Sequence, residues 1–112
     1  MRTLQFSVDK QRLTKNGDFS KIVRGSKGYL KCYFIFEDDD WKNHKVAAIF
    51  ENSNDEYPVA VKHDGTCEVP NEVTDSKYFK IRLVGLKNET RIITNKILVS
   101  QEGWYDNIRR SF

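Results

Sequence analysis

Residues 29–37 read YLKCYFIFE and decide the fold class of this 112-residue chain. Leu30, Cys32, Phe34 and Phe36 occupy every second position of the segment, and Lys31, Tyr33 and Ile35 between them share the other face. A period of two is typical of a β-strand that buries one face, whereas a helix repeats every 3.6 residues. We therefore predict a strand whose Phe-bearing face points into a core.

The same alternation recurs along the chain and predicts about seven to eight strands. The other predicted strands lie at residues 4–8, 21–23, 46–50, 57–61, 66–69, 79–83 and 91–101, the last being the longest. Turn signals separate them, and the sharpest is the Asp64-Gly65 pair. Residues 70–73, PNEV, predict one helical turn, since proline suits a helix start. Many short strands with frequent turns predict an all-β, immunoglobulin-like, two-sheet antiparallel sandwich.

The strand pattern stops after Gly103, so we divide the chain into a sandwich over residues 1–103 and a C-terminal tail over residues 104–112, WYDNIRRSF. Large apolar side chains interleaved with arginine favour anchoring in a protein interface. Together with Trp41, the candidate partner-binding residues are Trp104, Tyr105, Ile108, Arg109, Arg110 and Phe112. The alternative is that the two tail aromatics cap the open end of their own sandwich.

Composition narrows the class of protein. Aromatic residues make up 12% of the chain, which is too many for a disordered segment. No apolar run approaches the roughly 18–20 residues that span a bilayer, and the N-terminus lacks the apolar region of a signal peptide. We expect a folded domain that does not enter a membrane.

Charge is distributed in blocks. The net charge is +3 overall, but residues 1–31 carry +6, residues 37–76 carry −8 and residues 77–112 carry +5. Such blocks can orient association with copies of the chain or with neighbouring proteins, unless folding mixes them into an ordinary surface. The acidic middle block makes a nucleic-acid partner an unfavoured alternative.

The acidic run at residues 37–40, EDDD, is the strongest polar cluster. Carboxylates can supply oxygen ligands to calcium, but four consecutive side chains do not converge and the calcium-loop pattern is absent. We interpret the run as a solvated loop, with a calcium site or a partner contact as alternatives. Trp41 follows at once, and we expect its ring to pack against a sheet edge.

The sequence holds no catalytic motif. Cys32 and Cys67 form no CxxC pair, and the spacing of His44 and His63 is not that of a zinc site. We interpret the cysteines as reduced core residues, with a bridge between them as the alternative. No phosphate loop or nucleophile elbow is present. We expect a protein that is not an enzyme and uses no cofactor.

Several segments occur in an order that resembles one family. They are FSVDKQ (6–11), VRGSKGYL (23–30), FxF (34–36), DDW (39–41), KVAAIF (45–50), YPV (57–59), DGTCEVPNEV (64–73), FKIRLVG (79–85) and TNKILV (94–99). Together they resemble the immunoglobulin-like β-sandwich modules of tail, neck and baseplate proteins from phages and prophages of Gram-positive bacteria. The resemblance covers about residues 2–102. It implies a structural or adhesive role and no catalytic residue.

We therefore expect a non-enzymatic phage or prophage protein, located in the virion and, during assembly, in the cytoplasm of the bacterial host. Its expected partners are other phage structural proteins or further copies of itself, contacted through the last strand and the tail. A small inhibitor of a bacterial defence protein, similar to an anti-CRISPR, is the alternative, and its partner would be a host protein. A third hypothesis is a carbohydrate-binding module that uses exposed Trp41, Tyr29 and Tyr33.

Overall fold

β-strands dominate the computed structural model, which describes residues 1–103. That range holds nine strands and one helical turn, so the predicted all-β class is confirmed. The strands are β1 (Arg2–Asp9), β2 (Arg12–Asn16), β3 (Leu30–Phe36), β4 (Lys45–Glu51), β5 (Glu56–Ala60), β6 (Thr66–Glu68), β7 (Tyr78–Lys87), β8 (Thr90–Ile93) and β9 (Ile97–Ser100), and the turn is α1 (Asn71–Thr74). Within residues 1–103 no helix is long and apolar enough to span a bilayer.

Two sheets stack to form the sandwich. The first has the strand order β2-β1-β3-β6. The second has the order β5-β4-β7-β8, and β9 pairs with the other half of β7. From β3 onward the chain crosses between the sheets so that β3 and β6 share one sheet, while β4, β7 and the last strands share the other. That alternation is the arrangement of an immunoglobulin-like sandwich.

The core lies between the sheets and consists mostly of residues that alternation placed inward, joined by others such as Leu13, Trp41 and Val73. Phe6 and Phe34, on adjacent strands of the first sheet, stack with ring centroids 5.2 Å apart. Phe50 and Phe79 of the second sheet lie 6.0 Å from each other. All four side chains are at most 2% exposed. Burying one such side chain contributes about 1.5–3 kcal/mol, so this cluster provides a large share of the cohesion between the sheets.

One pairing departs from the antiparallel prediction, because β1 runs parallel to β3. β1 first forms a tight hairpin with β2, a strand that the sequence did not predict. Lys10, with φ 56°, makes the turn. Residues 17–29 then carry the chain back to the end of the sheet where β1 began. Parallel neighbours need a connection of about a dozen residues or more, and this segment supplies it.

The predicted long last strand at residues 91–101 is wrong in one respect, since it is divided into β8 and β9. Thr94 Oγ1 accepts a hydrogen bond from Leu83 N at 2.9 Å, in place of a backbone acceptor. Asn95 turns toward β2, where its Nδ2 donates to Leu13 O at 3.0 Å and its Oδ1 accepts from Leu13 N at 2.7 Å. This residue therefore joins the two sheets at one side of the sandwich.

Two smaller predictions have different outcomes. The helical turn is confirmed as α1, with Pro70 immediately before it. Residues 21–23 do not form a strand, and Val23 makes only a single bridge to Glu102.

Cys32 and Cys67 lie opposite each other on β3 and β6, and both are free buried thiols. Burial, followed by the hydrogen bond with Cys67, raises the pKa of the Cys32 thiol well above its ordinary value.

Candidate functional site

Trp41 is the one predicted partner-binding residue within the described range, and it is buried. Its side chain is 4% exposed, and its Nε1 donates to Lys10 O at 2.6 Å. The ring lies over Gly85 of β7, where a Cβ atom would meet it at 2.8 Å. The ring is packed as predicted, but against the central strand β7 and not a sheet edge, and the carbohydrate hypothesis was wrong to treat Trp41 as exposed.

The tail falls outside the described residues. The chain is held in place up to that point, since Glu102 N donates to Ile22 O at 2.6 Å and Arg24 N donates to Glu102 O at 2.8 Å. The predicted contact residues that lie outside the described range are Trp104, Tyr105, Ile108, Arg109, Arg110 and Phe112.

The acidic run at residues 37–40 forms a loop that is organised by its own hydrogen bonds. Asp38 Oδ1 accepts from Asp40 N at 2.8 Å, and Asp38 Oδ2 accepts from Lys10 N. The bond from Asp40 N, followed by that from Lys10 N, holds the pKa of Asp38 below its ordinary value. Among residues 1–103, no three His, Cys, Asp or Glu side chains are grouped closely enough to hold a metal ion.

A groove of about 720 Å³ opens at this end of the sandwich, between residues 38–46 and 60–65. Both histidines line it. His44 Nδ1 lies 3.1 Å from Lys42 O, and its Nε2 is enclosed without a hydrogen-bond partner. Asp64 Oδ1 accepts from the Thr66 backbone and hydroxyl, at 3.0 and 2.6 Å. Asp38, Asp64 and the Nδ1 of His44 are thus engaged with nearby backbone or hydroxyl groups.

The outer face of the first sheet is mainly polar. Alternation turns Gln5 and Ser7 of β1 outward, together with Thr14 and Asn16 of β2, which lie beside them in register. Such small polar side chains are what a solvated sheet face normally carries. The outer face of the first sheet therefore shows what a solvated sheet face looks like in this chain, and the outer face of the second sheet can be compared with it.

The outer face of the second sheet differs, and we call the outward side chains of β4, β5, β7, β8 and β9 the second-sheet face. Its larger apolar side chains include Leu86, Leu98 and Ile93, which are 52%, 43% and 38% exposed. Single exposed apolar side chains are ordinary, but contiguous ones mark contact surfaces. Ala47, Ala60 and Val84 also belong to this face.

Charged side chains border this apolar area. Arg82 Nη1 reaches across β4 to Glu56 Oε2 on β5, at 3.2 Å. Lys96 Nζ lies 2.7 Å from Glu51 Oε1. The Lys96 hydrogen bond, reinforced by the nearby positive charges, holds the pKa of Glu51 below its ordinary value. The face thus combines an apolar part with a part made of ion pairs.

The β2, β8 and β5 edges are poorly suited to strand addition. At the β2 and β8 edges, Asn95 occupies the backbone groups of Leu13, and Gln11 Nε2 donates to Ile93 O at 3.1 Å. At the β5 edge, Val61 N donates to Val46 O. Hydrogen-bonded and non-hydrogen-bonded pairs alternate along an antiparallel ladder, so the Ile49–Pro58 pair is non-hydrogen-bonded and the backbone of Pro58 faces away from β4. Proline has no N–H to offer there.

Sequence reasoning did not identify the second-sheet face. A usable signal was present, because residues 46–50, VAAIF, are all apolar, whereas a half-solvated strand alternates with polar residues. An uninterrupted apolar run indicates that both sides of β4 contact apolar surroundings.

The chain was also compared with known proteins. No protein-family model and no curated protein matches it.

Proposed function

We propose that this chain is a non-enzymatic structural or adhesive protein of a phage or prophage, a tail, neck or baseplate module that acts by protein–protein contact. The observation that carries the contact role is the second-sheet face, whose exposed apolar side chains are bordered by charge. Contiguous apolar patches with a polar rim are typical of protein contact sites. The phage context is supported by the order of segments that resembles virion sandwich modules.

The proposed partners are other phage structural proteins or further copies of the chain, with a bacterial host protein as the alternative. The proposed location is the virion, and the host cytoplasm during assembly. The tail at residues 104–112 belongs to the proposal as a second contact. Its contribution is tested by truncation after Gly103, which we expect to weaken assembly while leaving the far-ultraviolet circular dichroism spectrum of the sandwich unchanged.

The deciding experiment tests whether the chain co-sediments with phage particles. Particles from an induced lysogen that encodes it are separated on a density gradient, and the chain is detected with an antibody in each fraction. We expect it in the particle fractions. We also expect Val84→Glu, which places a charge in the second-sheet face, to prevent incorporation, whereas Gln5→Glu on the first sheet leaves it unchanged. If the wild-type chain remains with the soluble host proteins, the virion role is wrong and the inhibitor hypothesis replaces it.

A further inference from the structure

Strand register aligns four apolar side chains in one row across the second-sheet face. Ala47 of β4 lies opposite Ala60 of β5 on one side and opposite Val84 of β7 on the other, and Val84 in turn lies opposite Ile93 of β8. The row therefore has two small side chains at the β5 end and two branched ones at the β8 end. The alanine half of the row therefore extends less far from the sheet than the half made of Val84 and Ile93.

A second row, toward the other end of the strands, is divided by charge. Glu51 of β4 lies opposite Glu56 of β5 and opposite Lys80 of β7, and Lys80 lies opposite Leu98 of β9. The acidic half lies on β4 and β5, and the basic side chain lies on β7. The acidic and basic blocks of the sequence thus meet on one face.

We propose that the partner of the second-sheet face is a second copy of this chain, docked face to face about a two-fold axis parallel to the strands. Such an axis places each row of one copy opposite the same row of the other copy. It also reverses the strand order, so β5 faces β8 or β9 and β4 faces β7. Ala47 and Ala60 of one copy then receive Val84 and Ile93 of the other, and Glu51 comes to lie over Lys80. The inference rests on the proposed contact function and deepens it by naming the partner.

Size and symmetry both suit this arrangement. Four strands about 4.8 Å apart, over about seven residues of roughly 3.3 Å each, give a flat face of roughly 450 Å² per copy. Side-chain relief raises the accessible area toward the ~800 Å² per partner of a standard protein interface. A two-fold contact uses the same surface on both copies, so it requires a self-complementary face, and the apolar row and the Glu51–Lys80 pair of the second row meet that requirement.

The first test is the mass of the purified full chain by sedimentation equilibrium over a wide concentration range. We expect a monomer–dimer equilibrium with no larger species. Val84→Glu should abolish the dimer, because it places a carboxylate in the apolar row, while Gln5→Glu should retain it. Far-ultraviolet circular dichroism checks that both variants are folded. A wild-type chain that stays monomeric at every concentration, or a dimer that both variants weaken equally, overturns the inference.

The second test fixes the alignment with opposite charges. Glu51→Lys leaves lysine at both positions 51 and 80, and Lys80→Glu leaves glutamate at both, so each variant alone should dimerise at least tenfold more weakly than the wild type. An equimolar mixture should form mixed dimers of near wild-type affinity, since each of the two lysines on the first variant then faces a glutamate on the second. A mixture no tighter than either variant overturns the two-fold alignment.

These outcomes separate the inference from the proposed function. If the purified chain is monomeric but Val84→Glu is still missing from particles, the face contacts a different virion protein, so the dimer is wrong and the contact role stands. If the chain dimerises as described but never travels with particles, the dimer stands and the virion role is wrong.

Discussion

Gly85→Ala should destabilise the sandwich, because the added methyl group has no space. It would lie 2.8 Å from both Cε3 and Cζ3 of Trp41, well inside the usual carbon–carbon contact of about 3.5–4.0 Å. The ring is held by its Nε1–Lys10 O hydrogen bond of 2.6 Å, which opposes retreat. Overpacking of this kind costs about 1–3 kcal/mol, and we expect the free energy of unfolding to fall by that amount.

The assay is urea unfolding followed by far-ultraviolet circular dichroism, in the wild-type background and in a Trp41→Leu background. Trp41→Leu removes the ring, so the methyl group at position 85 then meets no aromatic carbon. Gly85 does not have a positive φ, and in that background the alanine should be neutral or stabilising by up to ~1 kcal/mol, because alanine restricts the unfolded chain. Equal destabilisation in both backgrounds would refute the steric argument.

Three further outcomes are expected. Asn95→Ala should lower the free energy of unfolding by about 1–3 kcal/mol, since it leaves both backbone groups of Leu13 unpaired, and urea unfolding measures the loss. The Lys96 ion pair holds the folded-state pKa of Glu51 below its ordinary value of 4.5. The ion pair therefore stabilises the fold above pH 4.5, and this stabilisation is lost as the pH falls through the folded-state pKa. Lys96→Met should remove this part of the pH dependence of thermal unfolding. The two cysteine thiols should resist an aromatic disulfide reagent in the native chain and react once urea unfolds it, because both are buried; rapid reaction without urea would contradict the described packing.

Alternation allowed the core to be predicted from the sequence, because the period of two fixes which side of a strand is buried. Phe6, Phe34, Phe50 and Phe79 were all placed inward on that basis and are buried. The pattern carries no information on which strands are neighbours. The parallel β1–β3 pair and the break at Asn95 depend on contacts with distant segments, so local periodicity did not reveal them.

The candidate site was harder to predict for the same reason. Ala47 and Ala60 are ordinary residues in the sequence, and they become part of a row only when the register sets Val84 beside them. Trp41 illustrates a different error, since the carbohydrate hypothesis took its ring to be exposed, whereas the ring is buried. Its ring is covered because a glycine on β7, far along the chain, leaves room for it.

The proline at the β5 edge has a consequence for behaviour at high concentration. A sheet that grows by its edges leaves a new edge after each addition, so growth has no natural end and produces fibrils. Pro58 removes a donor from the exposed β5 edge and therefore interrupts any ladder that begins there. A contact between faces, by contrast, buries the contact surface of both molecules and leaves no such surface free for a further copy. A chain that associates through the proposed face contact would therefore stop at a defined size instead of adding copies without end.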